Sequence, residues 1–258
     1  MPHAARFSIA PVRSLGLEHP DAIDLTDVGV VEDRRFFLAD ETGRLVDRLV
    51  VGGLAQVAAH TDPGATRLRI AFPDGRVLDD EVELGAHVEV PIYGRLAVGH
   101  VVRGPWADAL SEWAGRRVDL VRCDLPGGTR DGDPVSLISD GSLAELARQA
   151  GGGRVDARRF RMLIELEGAA AHEEDTWIGR HIAIGTAVLA VTEQDARCAI
   201  TTQDPDSGRR DMDTLRMIIA YRGLRDGRYV DFGVLADVAR PGRVRLGDQV
   251  TLLGEPPG

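Results

Sequence analysis

Ala196-Arg197-Cys198-Ala199-Ile200-Thr201-Thr202-Gln203-Asp204-Pro205-Asp206-Ser207-Gly208 joins an apolar run to an acidic turn. Residues 187–192 lead into it with the small and branched side chains of a strand. The closing turn has a reason at each position. Pro205 presets φ, Asp204 and Asp206 can bond nearby backbone, and Gly208 permits positive φ. Between strand and turn sits Cys198, beside the fixed charge of Arg197 and ahead of two hydroxyls, Thr201 and Thr202. A neighbouring cation favours thiolate, the form of cysteine that attacks or binds metal. A lone cysteine in a half-apolar run also reads as a small buried hydrophobe.

Around this stretch the chain is acidic. Its 258 residues carry 31 basic and 41 acidic side chains, a formal charge of −10. Nucleic acid and anionic membrane both need a basic surface, so neither is an expected partner. No apolar run approaches the ~20 residues of a spanning helix, and the N-terminus lacks a signal-peptide pattern, so a cytoplasmic location is expected. Cys123 and Cys198 form no close-spaced pair, and seven scattered histidines show no ligand spacing, which disfavours structural zinc. Every basic residue is arginine. The absence of lysine excludes a pyridoxal-phosphate imine, a P-loop lysine and an aldolase-type imine. The absence of asparagine excludes glycosylation sequons.

Short strands separated by turn signals fill residues 6–92, which predicts a mainly β fold with a few short helices. Trp106, Ala109, Leu110 and Trp113 fall on one face of a helix over 106–113. A buried strand over 118–121 runs toward Cys123, taken as structural. Residues 126–134 form a Gly- and Asp-rich loop long enough to be a lid. Leu143, Leu146 and Ala147 give a second helix, stopped by Gly151-Gly152-Gly153, and Leu215, Ile218 and Ile219 a third. Arg158, Arg159 and Arg161 make the densest positive patch, which also fits a solvated loop.

The stretch from Arg197 to Gly208 resembles the signature of the MOSC domain, the family named after the C-terminal domain of molybdenum cofactor sulfurase. Pro11-Val12-Arg13-Ser14 is similar to the family's Pro-Val-Lys-Ser, Asp33-Arg34 to its Asp-Arg pair, and Arg159-Phe160-Arg161 to the start of its Arg-Phe-Arg-Pro-Asn motif. Residues 172–179, Phe232-Gly233 and Arg240-Pro241-Gly242 fit further blocks. The resemblance implies two parts, a MOSC-associated N-terminal β domain over 1–118 and a β-barrel MOSC domain over 119–258. It implies a molybdopterin-type molybdenum cofactor with Cys198 as metal ligand and catalytic residue. Arg13, Ser14, Arg34, Arg159, Arg161, Arg197, Thr201 and Thr202 are the implied cofactor-binding residues. Two departures stand out. Arg13 replaces lysine, which keeps the charge and adds a fork suited to phosphate. Met162-Leu163 replaces Pro-Asn, which removes an amide able to bond a pterin edge.

Two-part members that resemble this chain reduce N-hydroxylated small molecules, which makes a molybdenum-dependent oxidoreductase the leading expectation. The sequence has no ferredoxin-type cysteine set, haem site or Gly-rich dinucleotide fingerprint, so a separate donor protein would supply electrons. Sulfur transfer through a Cys198 persulfide, with a sulfur donor as partner, and non-catalytic carriage of the cofactor are the alternatives.

Overall fold

Ten-residue strands Ala187–Ala196 and Asp231–Arg240 pair antiparallel at the centre of a seven-stranded sheet. Their register slips at three places, and each bulge bends and twists the pair. Gly233 serves one of these bends at φ +82°, where a Cβ would lie 2.7 Å from the Leu137 carbonyl oxygen. The computed structural model describes residues 1–254, so residues 255–258 of the expected second unit lie outside it. The sheet order is His3–Phe7, Ile164–Glu167, Val135–Ser139, Asp231–Arg240, Ala187–Ala196, His181–Ile184, Val250–Leu252. Ala4 N donates to Asp248 O and Val250 N to Pro2 O, at 2.9 and 2.8 Å. These bonds bring the last strand back to the first and nearly close the sheet into a barrel, satisfying some of the groups that an open edge would expose. Phe7, Leu137, Ile164, Ile182, Leu189 and Val234 fill the interior.

A five-stranded sheet follows the order Leu45–Val46, Phe36–Ala39, Asp119–Cys123, Arg95–Arg103, Glu83–Ile92. A three-stranded sheet, Ala58–Thr61, Arg67–Ala71, Val77–Glu81, packs with it over Phe36, Leu38, Leu54, Leu68 and Ile70. Helix α1 (Trp106–Ala114) buries Trp106 and Leu110 in the same core, as its spacing predicts. Helices α2 (Asp140–Gln149) and α3 (Thr214–Arg222) start at side-chain caps, Ser139 accepting from Ser142 N and Asp213 from Arg216 N. The mainly β expectation with short helices therefore holds.

Strands cross the expected 118/119 boundary in both directions. His3–Phe7 pairs with Ile164–Glu167 in the barrel, and Asp119–Cys123 pairs with Phe36–Ala39 in the first part. Apolar alternation marks a strand but not its partner. Among the described residues no helix is long and apolar enough to cross a membrane.

Candidate functional site

The strand Ala187–Ala196 ends where Ala196 pairs with Asp231, and Arg197 N continues the ladder with a 2.7 Å bond to Val230 O. The chain then turns. Cys198 is extended, at φ −114°, and precedes the short 3-10 turn Ala199–Thr202. Thr201 Oγ1 donates to Cys198 O at 3.0 Å and lies 2.7 Å from Thr214 Oγ1 of α3, while Thr202 Oγ1 donates to Ala199 O at 2.7 Å. Both hydroxyls are thus committed to shaping the turn that carries the cysteine. The acidic turn is fixed as well. Asp204 Oδ1 accepts from Ser207 N and Oγ, each at 2.7 Å, and Gly208 sits at φ +70° against Gly52. A Cβ on Gly208 would stand 1.8 Å from Gly52 O, so only glycine lets the two parts of the chain meet there.

Cys198 is exposed, unlike buried Cys123, and lies in the wall of a cavity of about 300 Å³. Of the residues singled out by sequence, the fold brings Arg13, Arg34, Arg161, Arg197 and Cys198 together around it. Ser14, Arg159, Thr201 and Thr202 do not line it. Arg159 is instead buried in a fork to Asp211, with Nη1–Oδ1 and Nη2–Oδ2 both at 2.6 Å. Asp33, quoted in the Asp-Arg pair, also lines the wall; sequence reasoning missed Arg95, Arg130, Asp131, Asp133 and Asp195 there, and Leu49 and Tyr93 from the first part of the chain. The Gly- and Asp-rich loop over 126–134 was the available signal for Arg130, Asp131 and Asp133.

Six arginines and four aspartates line the cavity, a local positive excess in a chain of charge −10. Most are paired. Arg13 forks to Asp131 at 2.7 and 2.8 Å and also donates to Thr129 O. Arg197 pairs with Asp195 and donates to Phe160 O at 2.5 Å. Asp33 accepts from Ala10 N at 2.8 Å and from Arg34 and Arg130. Burial would raise the Asp33 carboxyl, but the two guanidiniums and that N–H outweigh it and hold it below its ordinary value. Burial dominates at Asp195 despite Arg197 and raises that carboxyl.

Arg161 stands apart. It is 9% exposed, donates to Leu15 O at 2.9 Å, and forms no ion pair among the described residues. Burial pushes its guanidinium well below its ordinary value, with Arg48, Arg34 and Arg13 adding repulsion against the weaker pull of Asp33. Ser14, Arg34, Tyr93 and Arg161 all hold positive φ without being glycine, a strain that clusters at ligand clamps.

These residues fit the cofactor that the Cys198 motif implies. An anionic ligand would supply the missing partner of Arg161, and the buried Nε atoms of Arg13 and Arg197 also have no acceptor. Among the described residues no group of three His, Cys, Asp or Glu could cage a bare ion, so a metal bound here would take Cys198 as a single protein ligand and bring its other ligands with it.

The MOSC domain family model matches residues 125–251. Over 133 residues the chain is 34% identical to mitochondrial amidoxime-reducing component 1 of Mus musculus, covering 48% of this chain and 38% of that protein. It is 31% identical over 127 residues to mitochondrial amidoxime reducing component 2 of Bos taurus, covering 46% and 37%. The match thus spans less than two fifths of those relatives. Among solved structures, the YuaD protein from Bacillus subtilis aligns with TM-score 0.47 and 13% identity over 97% of this chain and 94% of that one. YiiM from Geobacillus stearothermophilus aligns with TM-score 0.38 and 15% identity over 67% and 74%. Residues 125–251, which supply Asp131, Arg161, Arg197 and Cys198 to the cavity, are the part of the chain that matches the MOSC domain family.

Proposed function

We propose that this protein is a molybdenum-cofactor-dependent oxidoreductase that reduces N-hydroxylated small molecules with electrons from a separate donor protein. The observation that carries this reading is an exposed thiol, Cys198, in the same cavity as a buried arginine that forms no ion pair among the described residues, Arg161. The MOSC match over residues 125–251 and relatives named for amidoxime reduction support it. Arg161, Arg34 and Arg13 would hold the anionic pterin and its phosphate through charge-assisted bonds, each about 1.5–3 kcal/mol. Cys198 thiolate would be the protein ligand, since soft sulfur suits such a metal. When bound, the molybdenum centre supplies acceptance of an oxygen atom from the substrate. Reduction of N–OH to N–H consumes two electrons and two protons and releases water. Leu49 and Tyr93, exposed in the wall, offer an apolar side to an uncharged substrate body.

Elemental analysis of protein made in a host that synthesises the cofactor is the direct test. Wild type should carry molybdenum and Cys198→Ala should lose it, while Cys123→Ala retains it. Molybdenum in neither wild type nor variant defeats the cofactor reading. Equal amounts in both remove Cys198 as a ligand. Exposure of the Cys198 thiol keeps sulfur transfer as the second reading.

A further inference from the structure

A second cavity, of about 190 Å³, shares Arg161 with the first but not Cys198. Arg48, Arg158 and Arg161 reach it together with His19 and the carboxylate-bearing Asp206, and Gly16 and Pro205 are among its other walls. Arg48 is 2% exposed. Among the described residues its side chain makes one hydrogen bond, from Nη2 to Asp204 O at 3.2 Å, and no ion pair. Its Nε is buried without an acceptor. The Asp204 carboxylate is engaged with Ser207 instead. Burial lowers the Arg48 guanidinium to about 10, against the pull of Asp204, so it stays charged at neutral pH. Its own carbonyl, accepting from Gln203 Nε2 at 2.7 Å, anchors the segment to the acidic turn.

Two buried guanidiniums thus share one small cavity, and neither forms an ion pair among the described residues. Burying a charge is costly unless it is paired, and like charges side by side add to the cost. Structural needs do not explain the arrangement, because a single bond to a carbonyl could be made by a neutral side chain. Arg158 completes the cluster at a more open position, held by Asp156 and by Asp206 at 2.7 and 2.9 Å. Planar forks lining one small space suit a tetrahedral oxyanion.

We propose that Arg48, Arg161 and Arg158 form a phosphate-binding subsite, which takes the free ion or the phosphate monoester end of a larger ligand. The subsite rests on the oxidoreductase reading only through Arg161, which the two cavities share, and adds Arg48 and Arg158, which that reading does not use.

Equilibrium dialysis of the full-length chain against inorganic phosphate, at ionic strength matched with chloride, tests it. Cofactor-free protein should bind one phosphate, and Arg48→Met should weaken that binding about tenfold or more, the value of one charge-assisted bond. Arg158→Ala, at the more open position, should fold whether or not Arg48→Met does and should weaken binding less. Phosphate that still binds the molybdenum-loaded protein identifies the free ion as occupant. Phosphate excluded from the loaded protein identifies the monoester end of the cofactor. No binding by wild type, or binding that both variants leave intact, overturns the subsite. Molybdenum content is measured separately, so a chain that binds phosphate but never molybdenum keeps the subsite and loses only the oxidoreductase reading.

Discussion

Arg161 donates a 2.9 Å hydrogen bond to the carbonyl oxygen of Leu15, 146 positions earlier in the chain, and to no carboxylate among the described residues. Two segments read separately in the sequence thus meet at a cation that has no ion-pair partner among the described residues. Arg159, two residues before it, has both Nη atoms satisfied by Asp211. Neighbours in one motif therefore carry different work.

The first prediction follows from that difference. Arg159→Met should destabilise the protein by about 1.5–3 kcal/mol, the worth of hydrogen bonds to a charged group. Cofactor retention should change little at temperatures where the variant stays folded. Arg161→Met removes an unpaired buried charge, so the cofactor-free protein should be as stable as wild type or more so, while retention of molybdenum falls. Urea melts paired with metal analysis read both quantities. Full retention in Arg161→Met would remove that residue from the cofactor site.

Asp33 gives a prediction in pH. Its carboxyl is buried, yet Arg34, Arg130 and the Ala10 N–H hold it below the ordinary 3.8. A carboxyl that binds its proton more weakly when folded stabilises the protein above its unfolded value, and that contribution drains as pH falls toward the folded value. Asp33→Asn leaves Arg34 and Arg130 uncompensated and should cost about 3–5 kcal/mol at neutral pH. The gap between wild type and variant should stay flat from neutral pH to ~5 and narrow below 3.8. A gap that is constant down to pH ~2.5 would show that Asp33 is not the group that titrates.

What could be read from the sequence was local. Cys198 and its turn, the short helices and most strands follow from adjacent residues: alternation, caps, and turn residues such as Gly208. Three arginines from three distant motifs did reach one cavity with Arg197 and Cys198, because each motif marks a fixed backbone shape; Arg34 and Arg161 both sit at positive φ. Partner choice was not legible. Nothing near Arg159 points to Asp211, 52 positions on, and nothing in the first strand shows that His3–Phe7 belongs to the distant barrel. The burial of Arg48 was hidden for the same reason, since charge predicts exposure unless the folded surroundings are known.

Leu163 occupies the place of the asparagine that the family motif carries. It is buried, lines the cavity, and its N–H donates to Ser136 Oγ at 2.9 Å. Leu163→Asn keeps that backbone bond and puts an amide in the wall. The exchange should cost about 2–3 kcal/mol in the cofactor-free protein, where the amide has no partner. Loaded protein should release molybdenum more slowly during dialysis than wild type. Faster release would mean that the amide does not face the pterin.

The last prediction separates reductase from sulfur carrier through the state of Cys198. A thiolate coordinated to metal has donated its lone pair and attacks poorly. A sulfur-carrying cysteine must be free, accessible and ionised to a useful degree. Cys198 is exposed, and its turn is held by Thr201 and Thr202, so both states are sterically open to it. In molybdenum-loaded protein Cys198 should resist iodoacetamide, and a reduced dye with benzamidoxime should yield amidine. Cys123, buried with its thiol raised by that burial, is slow in either case and does not confuse the count. A sulfur carrier would behave in the opposite way: rapid alkylation at Cys198, a mass gain of one sulfur after incubation with a cysteine desulfurase, and no amidine. Persulfide on Cys198 without turnover of any N–O substrate would replace the oxidoreductase reading with sulfur transfer. Thr201→Val sharpens the comparison, because losing the bond to Cys198 O loosens the turn. It should speed alkylation of cofactor-free protein severalfold while leaving Arg13, Arg34 and Arg161 in place.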